Sequence, residues 1–180
     1  MGQKVAEKFC MKYFVIPLIF FLIARIEAST TIPLKNQKLT VELPRGWTYQ
    51  LDYWKIPLAF INSSDNLIIA VNELEQINQL LTDADKQNYF THYKLGRLAW
   101  LSLAFGKLVK FYEYEDINKN PDWKGMVFGY VYKLGQTTFY EKSYYLTCKN
   151  VSYNLKYLID HSQIKVMDTM DAMIRGLGCL

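Results

Sequence analysis

The sequence has 180 residues, enough for one domain with a core of its own. Apolar residues make up 51% of it and charge content is ordinary, which excludes a disordered chain. The formal net charge is +4, but residues 1–28 carry Lys4, Lys8, Lys12 and Arg25 against Glu7 and Glu27, so the rest of the chain holds only about +2. No Lys/Arg cluster marks a nucleic-acid face, and nucleic acid is not an expected partner.

The stretch "MKYFVIPLIFFLIARIEAST" has Lys12 ahead of an apolar run from Phe14 to Ala24, with Ala28 following Ile26 in a small-residue cleavage pattern. The run is well short of the roughly 20 residues a spanning helix needs. It predicts a cleaved signal peptide over 1–28 and a mature chain from near Ser29, with no integral membrane span after cleavage and a periplasmic or secreted location. Cys10 precedes the apolar run, so it is not a lipid-bearing cysteine at the cleavage point, and Met11 is an alternative start.

After an extended lead-in over 30–37, Leu39, Val41 and Leu43 alternate as in a strand. Pro44-Arg45-Gly46 turns the chain, and Trp47 to Leu51 reads as the partner strand of a hairpin. Ile56 to Ile61 and Leu67 to Leu74 are two more strands, with "NSSDN" (Asn62 to Asn66) between them as a turn. Thr82 with Asp85 is a helix-start signal, and the spacing predicts a helix from about Asp83 to Ala104, ended by Gly106. Phe90, Tyr93, Arg97, Leu98, Leu101 and Phe105 fall at helical spacing; in the apolar second half Leu98, Leu101 and Phe105 supply one buried stripe, and Trp100 and Leu103 then face away from it. Lys107 to Tyr114 reads as a strand, followed by a polar loop over 115–125. Met126 to Leu134 and Phe139 to Lys149 are aromatic strands joined at Gly135-Gln136, and Val151 to Ile159 alternates cleanly. Ser162 opens a closing helix with Ile164, Met167, Met170, Ile174 and Leu177 on one face.

This order predicts an α+β domain over 29–180, an antiparallel sheet flanked by helices in an α/β/α sandwich. "LPRGW" at Leu43–Trp47, the hairpin "YYLTCKNVSYNLKYLI" at Tyr144–Ile159 and the closing "QIKVMDTMDAMIRGL" together resemble the PsbP-like superfamily. That group includes the extrinsic photosystem II subunit, a Ran-binding nuclear import factor and bacterial envelope proteins such as DcrB. The resemblance covers most of 38–178. It implies a PsbP-like fold, a role in binding or assembly, and no shared catalytic residues. The chain departs from the pattern in its tyrosine density, its "LAWLSLAF" helix half and its cysteine pair.

Chemistry-bearing motifs are sparse. His92 and His161 have no partner placed beside them by the sequence, and surface or capping roles suit both. Cys148 and Cys179 read as one structural disulfide in an exported protein; a Cys148–His161 nucleophile pair is the weaker alternative. Glu113, Glu115, Asp116 and Asp122, with Asn118 and Asn120, read as a solvated loop rather than a cation site. Asn62 and Asn150 fit the glycosylation acceptor pattern, usable only in a eukaryotic host. No metal or cofactor is expected. The aromatic residues, among them Trp54, Trp100 and Trp123, are too many to hide easily, so Tyr130 and Tyr132 are expected on an exposed face, with Tyr140 and Tyr144 as further candidates. The functional expectation is an exported, non-enzymatic protein-binding, assembly or chaperone-like domain using Trp100, Leu103, Tyr130 and Tyr132. The alternatives are a glycan- or lipid-binding protein with an aromatic cleft and, more remotely, a hydrolase.

Overall fold

The computed structural model describes residues 29–34, 37–74, 82–120, 123–149 and 151–180. The expected signal segment, the residue Asn150 and the carboxylate Asp122 lie outside the described residues.

Two sheets form. A small one joins β1 (Thr30–Pro33), β2 (Lys38–Val41) and β10 (Gly178–Cys179) in the order β1-β2-β10. The large one holds β3 (Thr48–Tyr53), β4 (Ile56–Asn62), β5 (Leu67–Leu74), β6 (Lys107–Asn120), β7 (Trp123–Leu134), β8 (Thr137–Cys148) and β9 (Val151–Asp160), in the order β3-β4-β5-β9-β8-β7-β6, every neighbour antiparallel. Helices α1 (Asp83–Leu103) and α2 (Met167–Gly176) complete an α+β fold, with a 3-10 turn at His161–Val166 leading into α2.

The turn at Pro44–Gly46 does form, with the Trp47 amide donating to the Pro44 carbonyl (3.0 Å) and Gly46 at φ 86°. It does not make a hairpin. β2 pairs with β1 and β10, while β3 pairs with β4, so the turn carries the chain from one sheet to the other. A local pattern of two short strands around a turn cannot distinguish these outcomes, because the choice rests on partners far away in sequence. The predicted polar loop over 115–125 is corrected too: β6 runs on to Asn120 and pairs with β7, which starts at Trp123.

Period-two alternation sets the two faces of the large sheet. On β8, Tyr140, Lys142, Tyr144, Leu146 and Cys148 share one face, and Phe139, Glu141, Ser143 and Tyr145 the other. The first face meets Phe60, Ile69, Val71, Leu155 and Tyr157 in the main core, which Met170, Met173 and Ile174 of α2 close together with Ile32, Leu39 and Val41 of the small sheet. The second face lies under α1, where Phe90 packs with Met126 and Phe128, and Leu101 with Tyr130 and Tyr132. The layers are therefore α1, sheet, and α2 with the small sheet.

Candidate functional site: buried helix anchors and exposed apolar surfaces

α1 begins where the sequence says it should. The Thr82 hydroxyl accepts from the Asp85 amide (3.1 Å), and the Asp85 carboxylate accepts from the Thr82 amide (3.2 Å), closing a capping box. Its buried stripe is not the predicted one. Phe90, Tyr93, Arg97 and Leu101, spaced three or four apart, face the sheet, whereas Leu98 and Phe105 are exposed. The stripe starts a turn earlier than the apolar half of the helix, because the aromatic strands supply most of the apolar surface and the helix supplies polar tips that reach into it.

Those tips converge on Glu141. Its Oε1 accepts from the Tyr93 hydroxyl (2.9 Å), Arg97 Nη2 (2.9 Å) and Lys156 Nζ (2.9 Å), and its Oε2 from the Tyr130 hydroxyl (3.2 Å). Burial, then the Glu141 charge, holds the Tyr93 and Tyr130 hydroxyls far above the ordinary phenol range. Burial likewise lowers the Lys156 ammonium against the pull of Glu141. On the opposite face of β8, Asp171 of α2 accepts from Tyr144 (2.5 Å) and Tyr157 (2.6 Å) and pairs with Lys142. Each helix is thus pinned to the sheet by one carboxylate, and Glu141 and Lys142, neighbours in sequence, serve opposite faces.

Tyr130 and Tyr132 are buried beneath α1, which corrects their expected exposure. They stack in a row, Phe111 on Tyr130 (5.5 Å), Tyr130 on Tyr132 (4.9 Å) and Tyr132 on Phe139 (5.5 Å), which uses their faces for packing rather than for a partner. Tyr140 and Tyr144 are buried on the α2 side and Trp123 in the main core. Trp100 is divided: it is 37% exposed and sets its ring edge-on to Tyr132 at 5.4 Å. Leu103 is 81% exposed, as expected of a residue outside the stripe, and Phe105 beyond it is 96% exposed. Leu95 and Leu98 are exposed on α1 as well, Leu98 and Leu103 on opposite flanks of its outer side, about 140° apart round the helix. Phe105 has φ 53°, so the helix is ended by a left-handed phenylalanine and not by Gly106.

A second exposed apolar surface lies at the β3–β4 hairpin. Trp54 is 83% exposed and stacks flat on Tyr53 (5.2 Å, 10°), beside exposed Tyr49 and Leu51 of β3. Tyr53 pairs with Ile56, so Trp54 and Lys55 are the two turn residues. Both have positive φ, 48° and 69°, and Asp52 before them has 53°. A two-residue hairpin of this kind favours Asn-Gly, and each bulky residue placed there costs on the order of 1 kcal/mol. The positions are legible in the sequence as a strand end; the strain is not.

The other candidate residues are placed as follows. Cys148 and Cys179 form a disulfide, their Cα atoms 6.1 Å apart, so Cys148 is no nucleophile for His161. His161 opens the 3-10 turn, whose cap is Asp160 rather than Ser162: the Asp160 carboxylate accepts from the Ser162 amide (2.8 Å). His92 is exposed on α1 with Nδ1 2.9 Å from the Asn88 carbonyl. Asp116 pairs with Lys86 (2.7 Å) and Glu115 with Arg175 (3.6 Å), so these carboxylates lie on strand β6 as ion-pair partners. Glu113 is exposed on the same strand, and Asn118 pairs in register with Lys124. Asn120 pairs in register with Trp123. Among the described residues no three potential ligands gather into a metal site, and no helix is long and apolar enough to cross a membrane. The Asn62 side chain is 7% exposed and closes a turn, donating to Asp65 (2.8 Å) and accepting from the Ser64 amide (3.1 Å).

This arrangement of one seven-stranded antiparallel sheet between α1 and α2 is a PsbP-like fold. The solution structure of cyanobacterial PsbP (CyanoP) from Synechocystis sp. is similar to it, with a TM-score of 0.57 at 12% sequence identity, over 87% of this chain and 95% of that one. No protein-family model matches the sequence, and neither does any curated protein.

Proposed function

We propose that the chain is an exported, non-enzymatic assembly protein that holds another protein of the envelope or extracellular space. The observation that carries this reading is the open edge at β3. β3 ends the large sheet and its residues from Thr48 to Asp52 are exposed. The opposite edge, β6, is broken by register shifts at Leu108/Lys110, Tyr112/Glu115 and Asn118/Asn120, a device that discourages strand addition. β3 keeps regular pairing with β4 from Thr48 to Leu51. It offers an extended partner segment a row of backbone groups, with Tyr49, Leu51 and Trp54 as side-chain anchors. The strained display of Trp54 supports the same reading, since a fold gains nothing from an exposed indole on left-handed backbone.

An assembly role also suits the commitments of the polar groups. Glu141 and Asp171 are taken up by helix anchoring and Cys148 by a disulfide. The cysteine bond and the apolar run at Phe14–Ala24 support export to an oxidising compartment. Trp100 and Leu103 remain proposed contact residues on α1.

A photo-reactive phenylalanine analogue at position 54, expressed in the exporting host, tests the docking edge. The expected result is a discrete protein adduct at position 54 that is absent when the analogue replaces exposed Lys165. Identical adduct patterns at both positions, or none at either, would refute a docking role for the β3 edge.

A further inference from the structure

We propose that Arg97 and Lys156 hold the carboxylate of a small amphiphilic molecule whose apolar chain lies along β9 and β5 beside α1. The two cations meet on a single oxygen: Glu141 Oε1 accepts from Arg97 Nη2 and from Lys156 Nζ, each at 2.9 Å. Two positive charges thus share one negative charge, and neither pairs with another carboxylate among the described residues. One positive charge is left over where water only partly reaches, the Arg97 and Lys156 side chains being 25% and 30% exposed. Burial lowers the Lys156 ammonium, Glu141 opposes this, and the Arg97 charge adds to it. A guanidinium and an ammonium carry more N–H donors than the Glu141 carboxylate takes up, so both can turn a donor to an arriving anion.

Register places the apolar neighbours. Glu141 pairs with Leu158 and Ser143 with Lys156, so Lys156 and Leu158 share the α1 face of the large sheet. Lys156 pairs in turn with Ala70 of β5. Ile68, two residues from Ala70, and its partner Ile61 of β4 continue that face. The apolar clusters beneath α1 draw on β6, β7 and β8, and α1 is the only helix on this side among the described residues. Leu158 is accordingly 45% exposed, and Ile61, Ile68 and Ala70 are half-buried, whereas Ile69 and Val71 on the other face of β5 are buried. α1 stands as a wall beside this floor, with the cationic pair at its foot. A single carboxylate matches the one unanswered positive charge; a phosphate dianion reverses it, and a neutral sugar or alcohol leaves it unanswered. The apolar residues next to Lys156 add the requirement for a hydrocarbon chain on that carboxylate. The site lies three strands in from β3 and does not depend on the docking edge.

The test is calorimetric titration of the protein with decanoate, acetate and decanol at low salt. The expected result is binding of decanoate at least about tenfold tighter than acetate, which lacks the chain, and than decanol, which lacks the charge. Lys156→Met should weaken decanoate at least about tenfold and leave decanol unchanged. Leu158→Ser, at an exposed position, should narrow the gap between decanoate and acetate. Amide signals of the isotope-labelled wild-type protein locate the site without any substitution: those of Lys156, Leu158 and Ala70 should move as decanoate is added. No binding of decanoate, equal binding of decanoate and decanol, or signal changes confined to another part of the sheet would overturn the proposal. So would a folded Lys156→Met or Leu158→Ser protein that binds all three probes as the wild type does.

Discussion

The two helices of this fold are anchored alike and covered differently. α1 reaches Glu141 through Tyr93 and Arg97; α2 presents Asp171 to Lys142, Tyr144 and Tyr157. α2 is also tied behind its C-terminus, where β10 pairs with β2 and Cys179 bonds to Cys148. Its outward residues are Asp168, Thr169, Ala172 and Arg175. α1 has no such tie among the described residues and carries Leu95, Leu98 and Leu103 outward. One helix is built to close a core; the other closes a core with one side and keeps an apolar side in reserve.

Removing the α1 anchor should have the largest effect. Glu141→Ala leaves Arg97 and Lys156 without their buried counter-charge, and the expected loss is about 3–5 kcal/mol in urea unfolding. If α1 were held by aromatic packing alone, the loss would stay under about 1 kcal/mol. Removing the tie behind α2 with Cys148→Ser and Cys179→Ser opens a closure 31 residues apart in sequence. That should cost about 3–4 kcal/mol and speed amide exchange in α2 before α1. Equal acceleration in both helices would dissolve the distinction between them.

Alkaline pH reports on both faces at once. Burial is the main cause that pushes Tyr132, beneath α1, and Tyr140, on the α2 side, from 10.0 up to about 12. The folded state holds these phenols neutral while the unfolded chain ionises them near pH 10. Their contribution is therefore fully present below pH 10 and is lost as the pH rises toward 12, by about 1.4 kcal/mol per unit for each group. Tyrosinate absorbance should rise cooperatively with loss of circular dichroism in that window. Full tyrosinate absorbance reached before pH 12 with the fold intact would contradict the burial of these rings.

The smallest effects separate the two sides of α1. Trp100→Ala should cost about 1 kcal/mol through its edge-on contact with Tyr132. Leu103→Ser should stay within about 0.5 kcal/mol of the parent. A larger loss at Leu103 than at Trp100, measured by thermal unfolding, would invert the assignment of inner and outer sides.

Strands β4, β5, β8 and β9, helix α1 and its cap were legible because their signals are local: alternation, an "NSSDN" turn, and Thr82 with Asp85. The cysteine pairing was legible from the expected compartment and the count. What escaped depended on distant partners. The separation of β2 from β3 needed β1, β10 and β4, and the extension of β6 needed β7 opposite a polar segment. The stripe of α1 was misassigned because hydrophobicity alone selects Leu98 and Phe105, while the sheet beneath selects Tyr93 and Arg97 for their reach to Glu141. Tyr130 and Tyr132 were placed outside for the same reason: a count of aromatic residues does not reveal that they stack on one another.

The closed turn at Asn62 bears on how the chain is made. In a compartment that attaches glycans to Asn-X-Ser, the amide nitrogen needed for attachment is held by Asp65 once β4 and β5 have paired. The sugar transferase must act before that hairpin closes, and hairpins close within about 1–10 μs of both strands being free to meet. Occupancy at Asn62 is then a clock. It reads whether the β4–β5 pair forms while the segment is still threading out of the membrane or only after the later strands have arrived.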